Sequence, residues 1–258
     1  MYEKYEQSTI VYPSLMDSSG RLGIPDCFAL FMDIASVHAP LLGCGTEDLA
    51  KQDLFWLTVR SKIKINRRPY LMEKIDVSTW PEPPEETRSV RDYAITQNGQ
   101  PLVLGKTLWA VLNMKTHRLH RVEELYPEGF EAIPDLAVPE PFTQFDKQFQ
   151  GDEFASYTVR SSDIDFGGHM NNIAYIRAIA GLFPAKEWQD MGLSEVEIHY
   201  KNACFEGDVL TFQKKSCRRW FPAACRIPSE WKDRRLRVPE IGALFYGMIL
   251  FSPFRSTM

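Results

Sequence analysis

The chain has 258 residues, of which 44% are hydrophobic and 25% charged, and a formal net charge of -4 at pH 7. This length allows one large domain or two small ones, and the composition is that of an ordinary globular protein. The acidic balance gives no whole-molecule attraction to nucleic acid or anionic membranes, and no apolar stretch approaches the roughly 20 residues needed to span a bilayer.

The cysteines and the N-terminus both favour a reducing compartment. The five cysteines are Cys27, Cys44, Cys204, Cys217 and Cys225. An odd number without a CxxC pair is typical of free thiols rather than of a disulfide framework or a zinc site. The opening residues, MYEKYEQSTIVYP, have neither the apolar core of a signal peptide nor the Arg/Ser-rich character of a transit peptide. We therefore expect a cytoplasmic protein with no metal and no other cofactor.

The first part of the chain predicts a strand over residues 5–12 and then a long helix over 24–42. The helix has Pro25 and Asp26 in its first turn. Its apolar positions recur at helical spacing, at Phe28, Phe31, Met32 and Ala35. A short second helix is expected from Thr46.

The hydrophobic period then changes to two, which predicts strands. Four are expected, over residues 55–65, 73–80, 86–97 and 102–114. Asn98-Gly99 joins the last two and is a strong hairpin signal. A helix followed by antiparallel strands predicts an α+β unit in which the helix covers one face of a curved sheet.

The same order of elements recurs after a Pro-rich stretch. We expect an N-terminal unit over 1–122, a linker over 123–152 and a C-terminal unit over 153–258, whose last residues after Phe212 are atypical. The second helix contains Ile173, Ile176, Ile179 and Ala180, which match the apolar positions of the first helix, and KNACFEGDVLTF resembles RRPYLMEKIDVST. The interpretation is two copies of one strand–helix–sheet unit, packed as a pseudo-dimer.

The loop SSDIDFGGHMNN, residues 161–172, concentrates polar groups at the start of the second helix. A carboxylate, an imidazole and free N–H groups at a helix N-terminus suit acyl-transfer hydrolysis. The same residue types also make ordinary turns into helices. The matching turn of the first unit, DSSGRLGIPD, has no His and no Asn pair. This asymmetry favours one active unit.

The loop resembles the signature of the acyl-acyl-carrier-protein (acyl-ACP) thioesterases, approximately Asp-x-Asn-x-His-x-Asn-Asn and then a helix with Tyr-Ile. The matching residues are Asp165, His169, Asn171, Asn172, Tyr175 and Ile176. In the first unit, VRDYAITQNGQPLVLGKTLWAVLNMKTHRLHR resembles the family's hairpin. The resemblance implies two tandem hot-dog units, each a central helix wrapped by a curved antiparallel sheet.

The resemblance also implies catalytic roles for Asp165 and His169, with Cys204 or Glu206 contributing. It implies hydrolysis of fatty acyl-ACP to a free fatty acid, with acyl carrier protein as the partner. Two positions depart from the family pattern: Gly167 stands for the Asn and Ala203 for an acid. A buried, unreactive Cys204 is the alternative to a catalytic one.

Substrate contacts are expected from Asn171 and Asn172 at the helix start and from Trp56 in the first unit. An apolar slot for the acyl chain would be lined by Phe28, Phe31, Met32, Phe55 and Trp56, with simple core packing as the alternative. Docking of the acidic carrier would use one of two basic clusters, which are Lys62, Lys64, Arg67 and Arg68, or Lys115, Arg118 and Arg121.

Three alternatives stay open. An acyl-CoA thioesterase would use the same site. A catalytically impaired hot-dog protein would bind acyl groups without turnover, which Gly167 and Ala203 favour. A hot-dog dehydratase would place its His in an aromatic-Pro-Gly setting, which His169 does not have. A homodimer is also left open.

Overall fold

The structure is a computed structural model that describes residues 4–144, 152–214 and 243–246. The chain divides into two compact units, Met1–Phe142 and Thr143–Met258. The first unit therefore includes much of the segment predicted to be a linker. Most of the atypical tail after Phe212, and residues 145–151 of the expected linker, lie outside the described residues.

The first unit is a helix on an antiparallel sheet, as the change of period predicts. Its strands lie in the order β1-β3-β4-β5-β2, with β6 beside β5. Bulges at Thr58/Arg60 and Ile95/Thr96 bend the strands and curve the sheet. The elements are β1 (Tyr5–Ile10), α1 (Ile24–Leu41), α2 (Thr46–Ala50), β2 (Leu54–Ile65), β3 (Lys74–Pro81), β4 (Ser89–Gln97), β5 (Gln100–Asn113) and β6 (Arg118–His120), with short 3₁₀ turns at Pro13–Leu15 and Val122–Leu125.

The hairpin at Asn98-Gly99 is confirmed. Asn98 and Gly99 have φ values of 51° and 74°, the left-handed conformation that a two-residue hairpin turn requires at both positions. The turn joins β4 to β5, whose register runs from Gln97 opposite Gln100.

Helix α1 supplies the apolar core of the first unit. Phe28, Phe31 and Ala35 are buried, and Met32 is half-buried. The ring of Phe31 stacks on Tyr93 of β4, with 4.8 Å between centroids. With 18 residues and a mean hydropathy of 1.2, α1 is long and apolar enough to cross a membrane by length and composition alone, so the expectation that no apolar stretch approaches this length was wrong. The core helix of a globular unit passes the same test.

A Gly105→Ala variant tests how closely α1 approaches the sheet. A Cβ atom at position 105 would lie 2.5 Å from the Phe31 ring, so the ring must shift. We expect the free energy of unfolding to fall by ~1–3 kcal/mol, measured by urea denaturation. Gly181→Ala is the control, because a Cβ there meets nothing within 4 Å. An unchanged midpoint for Gly105→Ala would show that this approach is not tight.

The face of the sheet opposite α1 is crossed by residues 135–142, which we call the strap. The Trp80 indole N–H donates to the Asp135 carbonyl oxygen at 2.7 Å. The Ala137 N–H donates to Oδ1 of Asp92 at 3.2 Å. The prolines of this segment predicted a linker, and the sequence pattern did not indicate its backbone contacts with the sheet.

Under the strap, Asp92 lies opposite Lys106 of β5, whose ammonium group lies 4.9 Å from the Phe142 ring centroid. Asp92 is fully buried. Burial, and then the negative charge of Glu82, raise the pKa of Asp92 to about 8. Burial also raises the pKa of Glu82.

This raised pKa predicts a pH dependence of stability. In the unfolded chain an Asp ionises near pH ~3.9, so between pH ~4 and 8 the folded state holds one more proton. The stability that protonated Asp92 contributes is complete below that range and is lost as pH rises through it. Relative to wild type, Asp92→Asn should therefore become progressively more stable from pH 4 to 8, as measured by thermal unfolding. A constant difference across that range would contradict the prediction.

The described part of the second unit repeats the first in one strand pair, since β7 pairs with β9 antiparallel as β1 pairs with β3. Strand β10 pairs with β8 parallel, which differs from the antiparallel β2–β5 pair of the first unit and from the antiparallel sheet expected here. The short helix α4 was not predicted from the sequence. The elements are β7 (Asp152–Thr158), a 3₁₀ turn (Ser161–Asp163), α3 (Asn172–Gly181), α4 (Ala185–Asp190), β8 (Leu193–His199), β9 (Val209–Lys214) and β10 (Ala243–Tyr246).

Candidate active site

The loop before α3 is a tight, internally bonded turn. The Asp165 N–H donates to the His169 carbonyl oxygen at 2.9 Å, and the Gly168 N–H to the Asp165 carbonyl oxygen at 3.0 Å. Gly168 has a φ of 78°, which explains the need for glycine there. Ile164 and Met170 pair across the base of the turn. The backbone thus holds Asp165 and His169 on one rigid turn.

Asn171 is the N-cap of α3, and its Oδ1 accepts the Ile173 N–H at 2.8 Å. Asn172 is the first residue of the helix, and its carbonyl oxygen accepts the Tyr200 hydroxyl at 3.4 Å. Both side chains are half-buried at the mouth of the helix. A role of these two residues in binding substrate stays a prediction.

Of the two nearby acids, Asp163 anchors the loop. Its Oδ2 accepts the Tyr157 hydroxyl at 2.7 Å and the Arg160 N–H at 2.8 Å. Its carbonyl oxygen also accepts the Asn171 N–H at 2.8 Å. With its carboxylate committed to these bonds, Asp163 fixes the turn and leaves Asp165 as the carboxylate available for chemistry.

The side chains of Asp165 and His169 are half-buried and sparsely bonded. Oδ1 of Asp165 accepts the Gly167 N–H at 2.8 Å. Within residues 4–144, 152–214 and 243–246, Asp165 forms no ion pair, and neither imidazole nitrogen of His169 forms a hydrogen bond. The His169 ring lies 5.3 Å from the ring of Phe205. Both groups remain free to interact with a reacting molecule.

Cys204 adjoins the loop through its backbone, and its thiol lies in the core. Its carbonyl oxygen accepts the Met170 N–H at 2.8 Å, and the residue is 1% exposed. Burial raises the pKa of Cys204, although a hydrogen bond with the Tyr175 hydroxyl opposes this. A thiol in this state is protonated at neutral pH and is a poor nucleophile. The geometry favours the structural alternative for Cys204, and its catalytic contribution stays a prediction.

The first unit contains the same turn. There the Asp17 N–H donates to the Arg21 carbonyl oxygen at 3.0 Å and the Gly20 N–H to the Asp17 carbonyl oxygen at 3.1 Å. Met16 pairs with Leu22 as Ile164 pairs with Met170. Asp17 therefore corresponds to Asp165, and Arg21 to His169.

A second turn, which packs against the first, corresponds as well. The Leu22 N–H donates to the Pro69 carbonyl oxygen at 2.8 Å, as the Met170 N–H donates to Cys204. Pro69 therefore corresponds to Cys204. Its neighbours follow, so that Arg68 corresponds to Ala203 and Tyr70 to Phe205.

The correspondence of the loops corrects the pairing of the helices. Periodicity alone matched Phe28 with Ile173 and Phe31 with Ile176. Counting from the equivalent turns, Phe28 matches Ile176 and Phe31 matches Ile179. The sequence-based pairing was wrong by about one turn, because apolar positions of a helix recur every three or four residues and do not fix a register.

The two loops differ in their charges. In the first unit, Arg68 forms an ion pair with Asp17, and both side chains are largely buried. Burial works against ionisation of Asp17, but hydrogen bonds from Ser19 and Arg68 hold its pKa below the ordinary value. In the second unit Ala203 replaces Arg68, and Gly167 replaces Ser19. Asp165 therefore has no guanidinium to neutralise its charge and no hydroxyl group to donate a hydrogen bond at these two positions.

In both units the last residue of the loop packs against an aromatic ring, but the packing residue is Arg21 in the first unit and His169 in the second. The Arg21 guanidinium lies 4.3 Å from the ring centroid of Tyr70. In the second unit the imidazole of His169 lies against Phe205. One copy of the loop therefore carries a guanidinium, and the other carries an imidazole, a group that serves in general acid–base catalysis.

Trp56 lies on β2 in the first unit and is half-buried. Its indole N–H donates to the Cys44 carbonyl oxygen at 2.8 Å, and its ring meets Trp109 edge-on at 6.1 Å. These contacts hold it in the wall of the unit. Its contact with substrate, like the apolar slot proposed with Phe28 and Phe31, stays a prediction, and burial of these two Phe residues favours core packing for them.

The first basic cluster proposed for carrier docking lies on β2 and the following turn, and its side chains are buried or form ion pairs within the first unit. Lys62 is buried, and the other three members form ion pairs. These pairs are Lys64–Glu140, Arg67–Glu73 and Arg68–Asp17. In the second cluster, the pairs are Lys115–Asp53 and Arg121–Glu123. The sequence identifies the cations but not the acids that lie close to them in the fold.

Two tyrosines were missed as supports of the site. Tyr157 holds Asp163, and Tyr175 contacts the Cys204 thiol. Tyr157 lies on a strand, and Tyr175 is the Tyr of the Tyr-Ile pair. Neither sequence pattern indicates that the Tyr157 hydroxyl contacts Asp163 or that the Tyr175 hydroxyl contacts Cys204.

A helix on a curved antiparallel sheet, repeated along the chain and with one polar loop before the second helix, defines a hot-dog protein of the tandem type. Residues 2–130 match the model of the acyl-ACP thioesterase N-terminal domain, and residues 146–232 match that of the C-terminal domain. The chain belongs to the acyl-ACP thioesterase family. The predicted family and the α+β hot-dog fold are confirmed.

Solved structures agree with this assignment. An acyl-ACP thioesterase from Bacteroides thetaiotaomicron is 25% identical, with a TM-score of 0.75 over 82% of this chain and 86% of that one. The 12:0-ACP thioesterase from Umbellularia californica is 19% identical, with a TM-score of 0.68 over 81% and 86% of the two chains, and shows the fold.

Curated relatives are longer proteins. A chloroplastic acyl-[acyl-carrier-protein] hydrolase of Cuphea viscosissima is 26% identical over 70% of this chain and 47% of its own length. A chloroplastic oleoyl-acyl carrier protein thioesterase of Coriandrum sativum is 25% identical over 70% and 54%. The chain thus spans about half the length of the curated relatives it matches.

Proposed function

We propose that the chain hydrolyses the thioester of fatty acyl-ACP and releases a free fatty acid. The observation that carries the proposal is the contrast between its two loops. On the same backbone, the Asp17 carboxylate is neutralised by Arg68, whereas the Asp165 carboxylate is left available beside His169. Family membership supplies the reaction class.

The proposed mechanism uses groups of the second loop. The thioester carbonyl lies at the N-terminus of α3, where the helix dipole favours the oxygen as it gains negative charge. Asp165 takes a proton from the attacking water. His169 supplies a proton to the departing thiolate. Cys204 acts at most through the position of its backbone, since its thiol is protonated.

The proposed partner is acyl carrier protein with a fatty acyl chain. Relatives named for acyl-ACP support this substrate. Because the cations on β2 and its turn pair with acids of their own unit, carrier docking must use other residues or exchange these ion pairs. A homodimer, absence from the membrane interior and a cytoplasmic location stay proposals. The free state of Cys27, Cys44 and Cys204 supports a reducing compartment.

The test is release of free thiol from a panel of acyl-ACP and acyl-CoA thioesters of increasing chain length. We expect turnover of acyl-ACP with a preferred chain length. Faster turnover of acyl-CoA would replace the substrate proposal and keep the reaction. Binding of acyl-ACP without turnover of any thioester would refute hydrolysis and identify an acyl-binding protein.

A further inference from the structure

We propose that the nucleophilic water is held in the second unit at the place that the Arg68 guanidinium fills in the first, between the Asp165 carboxylate and the Met170 carbonyl oxygen. Ala203 leaves the space for this water and is a positioning residue of the site. The inference rests on the proposed hydrolytic function and specifies where its second reactant is bound.

The first unit shows what this place requires. The Arg68 guanidinium donates to the Asp17 carboxylate, to the Leu22 carbonyl oxygen at 2.9 Å and to Oγ of Ser19 at 3.3 Å. Three acceptors converge on one side chain that is only 14% exposed. The backbone geometry of these two turns therefore creates a place for a hydrogen-bond donor.

The second unit keeps two of the three acceptors, because Gly167 replaces Ser19, and it removes the donor. Asp165 and Met170 stand where Asp17 and Leu22 stand, on turns with the same backbone hydrogen bonds. Ala203 is too short to reach either acceptor. In the described ranges, no Lys or Arg side chain forms an ion pair with the Asp165 carboxylate. Among the described residues, this place retains a carboxylate and a carbonyl oxygen with no side-chain donor between them.

A water molecule satisfies this arrangement. It donates one hydrogen to each acceptor, and its lone pairs then point away from both, towards a molecule entering the site. The thioester carbonyl oxygen is itself an acceptor, so two acceptors repel it from this place. The carbonyl carbon, not the oxygen, is therefore the atom that faces the water.

The chemical step balances without a further reactant. The water oxygen forms a bond to the carbonyl carbon, and Asp165 receives the water proton. The C–S bond then breaks, and the sulfur leaves with a proton supplied by His169. The products are a carboxylic acid and a free thiol. The Ala203 side chain touches none of the reacting atoms, and its contribution is the space it leaves.

The decisive variant is Ala203→Arg, which restores the arrangement of the first unit. The fold should accept it, because Asp17 and Arg68 adopt it on an equivalent backbone and Ala203 is exposed. We expect kcat to fall by at least ~10²-fold with KM little changed, because the acyl chain and its carrier are not displaced. A crystal structure of the variant should show the new guanidinium bonded to the Asp165 carboxylate and the Met170 carbonyl oxygen, as Arg68 is bonded to Asp17 and Leu22.

An Ala203→Gln variant separates displacement of water from neutralisation of charge. Its amide has two N–H donors for the two acceptors and carries no charge. We expect it to lower kcat as well. If Arg lowers kcat but Gln leaves it unchanged, the effect is one of charge, and the water site is refuted.

Asn202→Arg is the matched control. It adds the same charge one position earlier, where the first unit has Arg67, which pairs with Glu73 and not with Asp17. We expect wild-type kcat. Wild-type kcat in Ala203→Arg, with the guanidinium bonded to the Asp165 carboxylate, would overturn this inference and leave hydrolysis standing. A wild-type protein that hydrolyses no thioester would instead refute the proposed function, and the water site would fall with it.

Discussion

An Asp165→Asn variant is expected to lose thioester hydrolysis by ~10²–10⁴-fold while its free energy of unfolding stays close to that of wild type. The amide oxygen can still accept the Gly167 N–H, so the turn keeps its bond. What the amide cannot do is receive a proton from water. The measurements are kcat for acyl-ACP hydrolysis and the midpoint of urea denaturation.

Asp17→Asn is the control, and it should show the opposite pattern. It removes the charge that Arg68 neutralises, so the free energy of unfolding should fall by ~1–3 kcal/mol. The lowered pKa of Asp17 means that this stability is present above the unfolded-state pKa and is lost as pH falls through the folded-state pKa. kcat should not change. Equal losses of activity in both variants would mean that the two loops do not have separate tasks.

The second large effect is expected for His169→Ala, which should lower kcat by ~10²–10³-fold. The loss of the imidazole leaves the departing thiolate without a proton donor, while the backbone bond between Asp165 and residue 169 is kept. Added imidazole should restore part of the activity, because the place vacated beside Phe205 is partly open to solvent.

Arg21→Ala serves as the control in the first unit. It removes only the contact with Tyr70, so the free energy of unfolding should fall by ~0.5–1 kcal/mol at unchanged kcat. A His169→Ala variant with wild-type kcat, or one with a strong loss that imidazole never restores, would argue against proton donation by His169 and for a purely structural role.

Local patterns were sufficient for the elements of the fold. Hydrophobic residues alternate with other residues along 55–65 and 102–114. This alternation predicts β2 and β5, because one face of each strand packs against α1. Asn98-Gly99 fixes the hairpin because both positions need positive φ. The start of α3 follows from Asn171, whose short side chain caps the helix. These features depend on neighbours in the sequence, and so the sequence shows them.

Contacts between distant positions could not be predicted. Arg68 was interpreted as a docking residue because nothing in RRPYL indicates that Asp17, 51 positions earlier, lies within reach. Asp92 was part of a family motif. Its burial could not be predicted, because it depends on contact with Ala137, which lies 45 positions later in the chain. In the site, the sequence identified Asp165 and His169 by type. Only the geometry separated the role of Asp163, which anchors the turn, from that of Asp165.

The strap also sets the order in which the first unit can be completed on the ribosome. Trp80 and Asp92 emerge with the sheet, but Asp135 and Ala137 follow 55 and 45 residues later. At a synthesis rate of ~5–20 residues per second, that delay lasts several seconds. Until the strap is synthesised, this face of the sheet lacks its cover and Asp92 is exposed to water. Arrival of the strap covers this face and buries Asp92, so the last step in completing the unit is the burial of a carboxyl group whose pKa is raised by that burial.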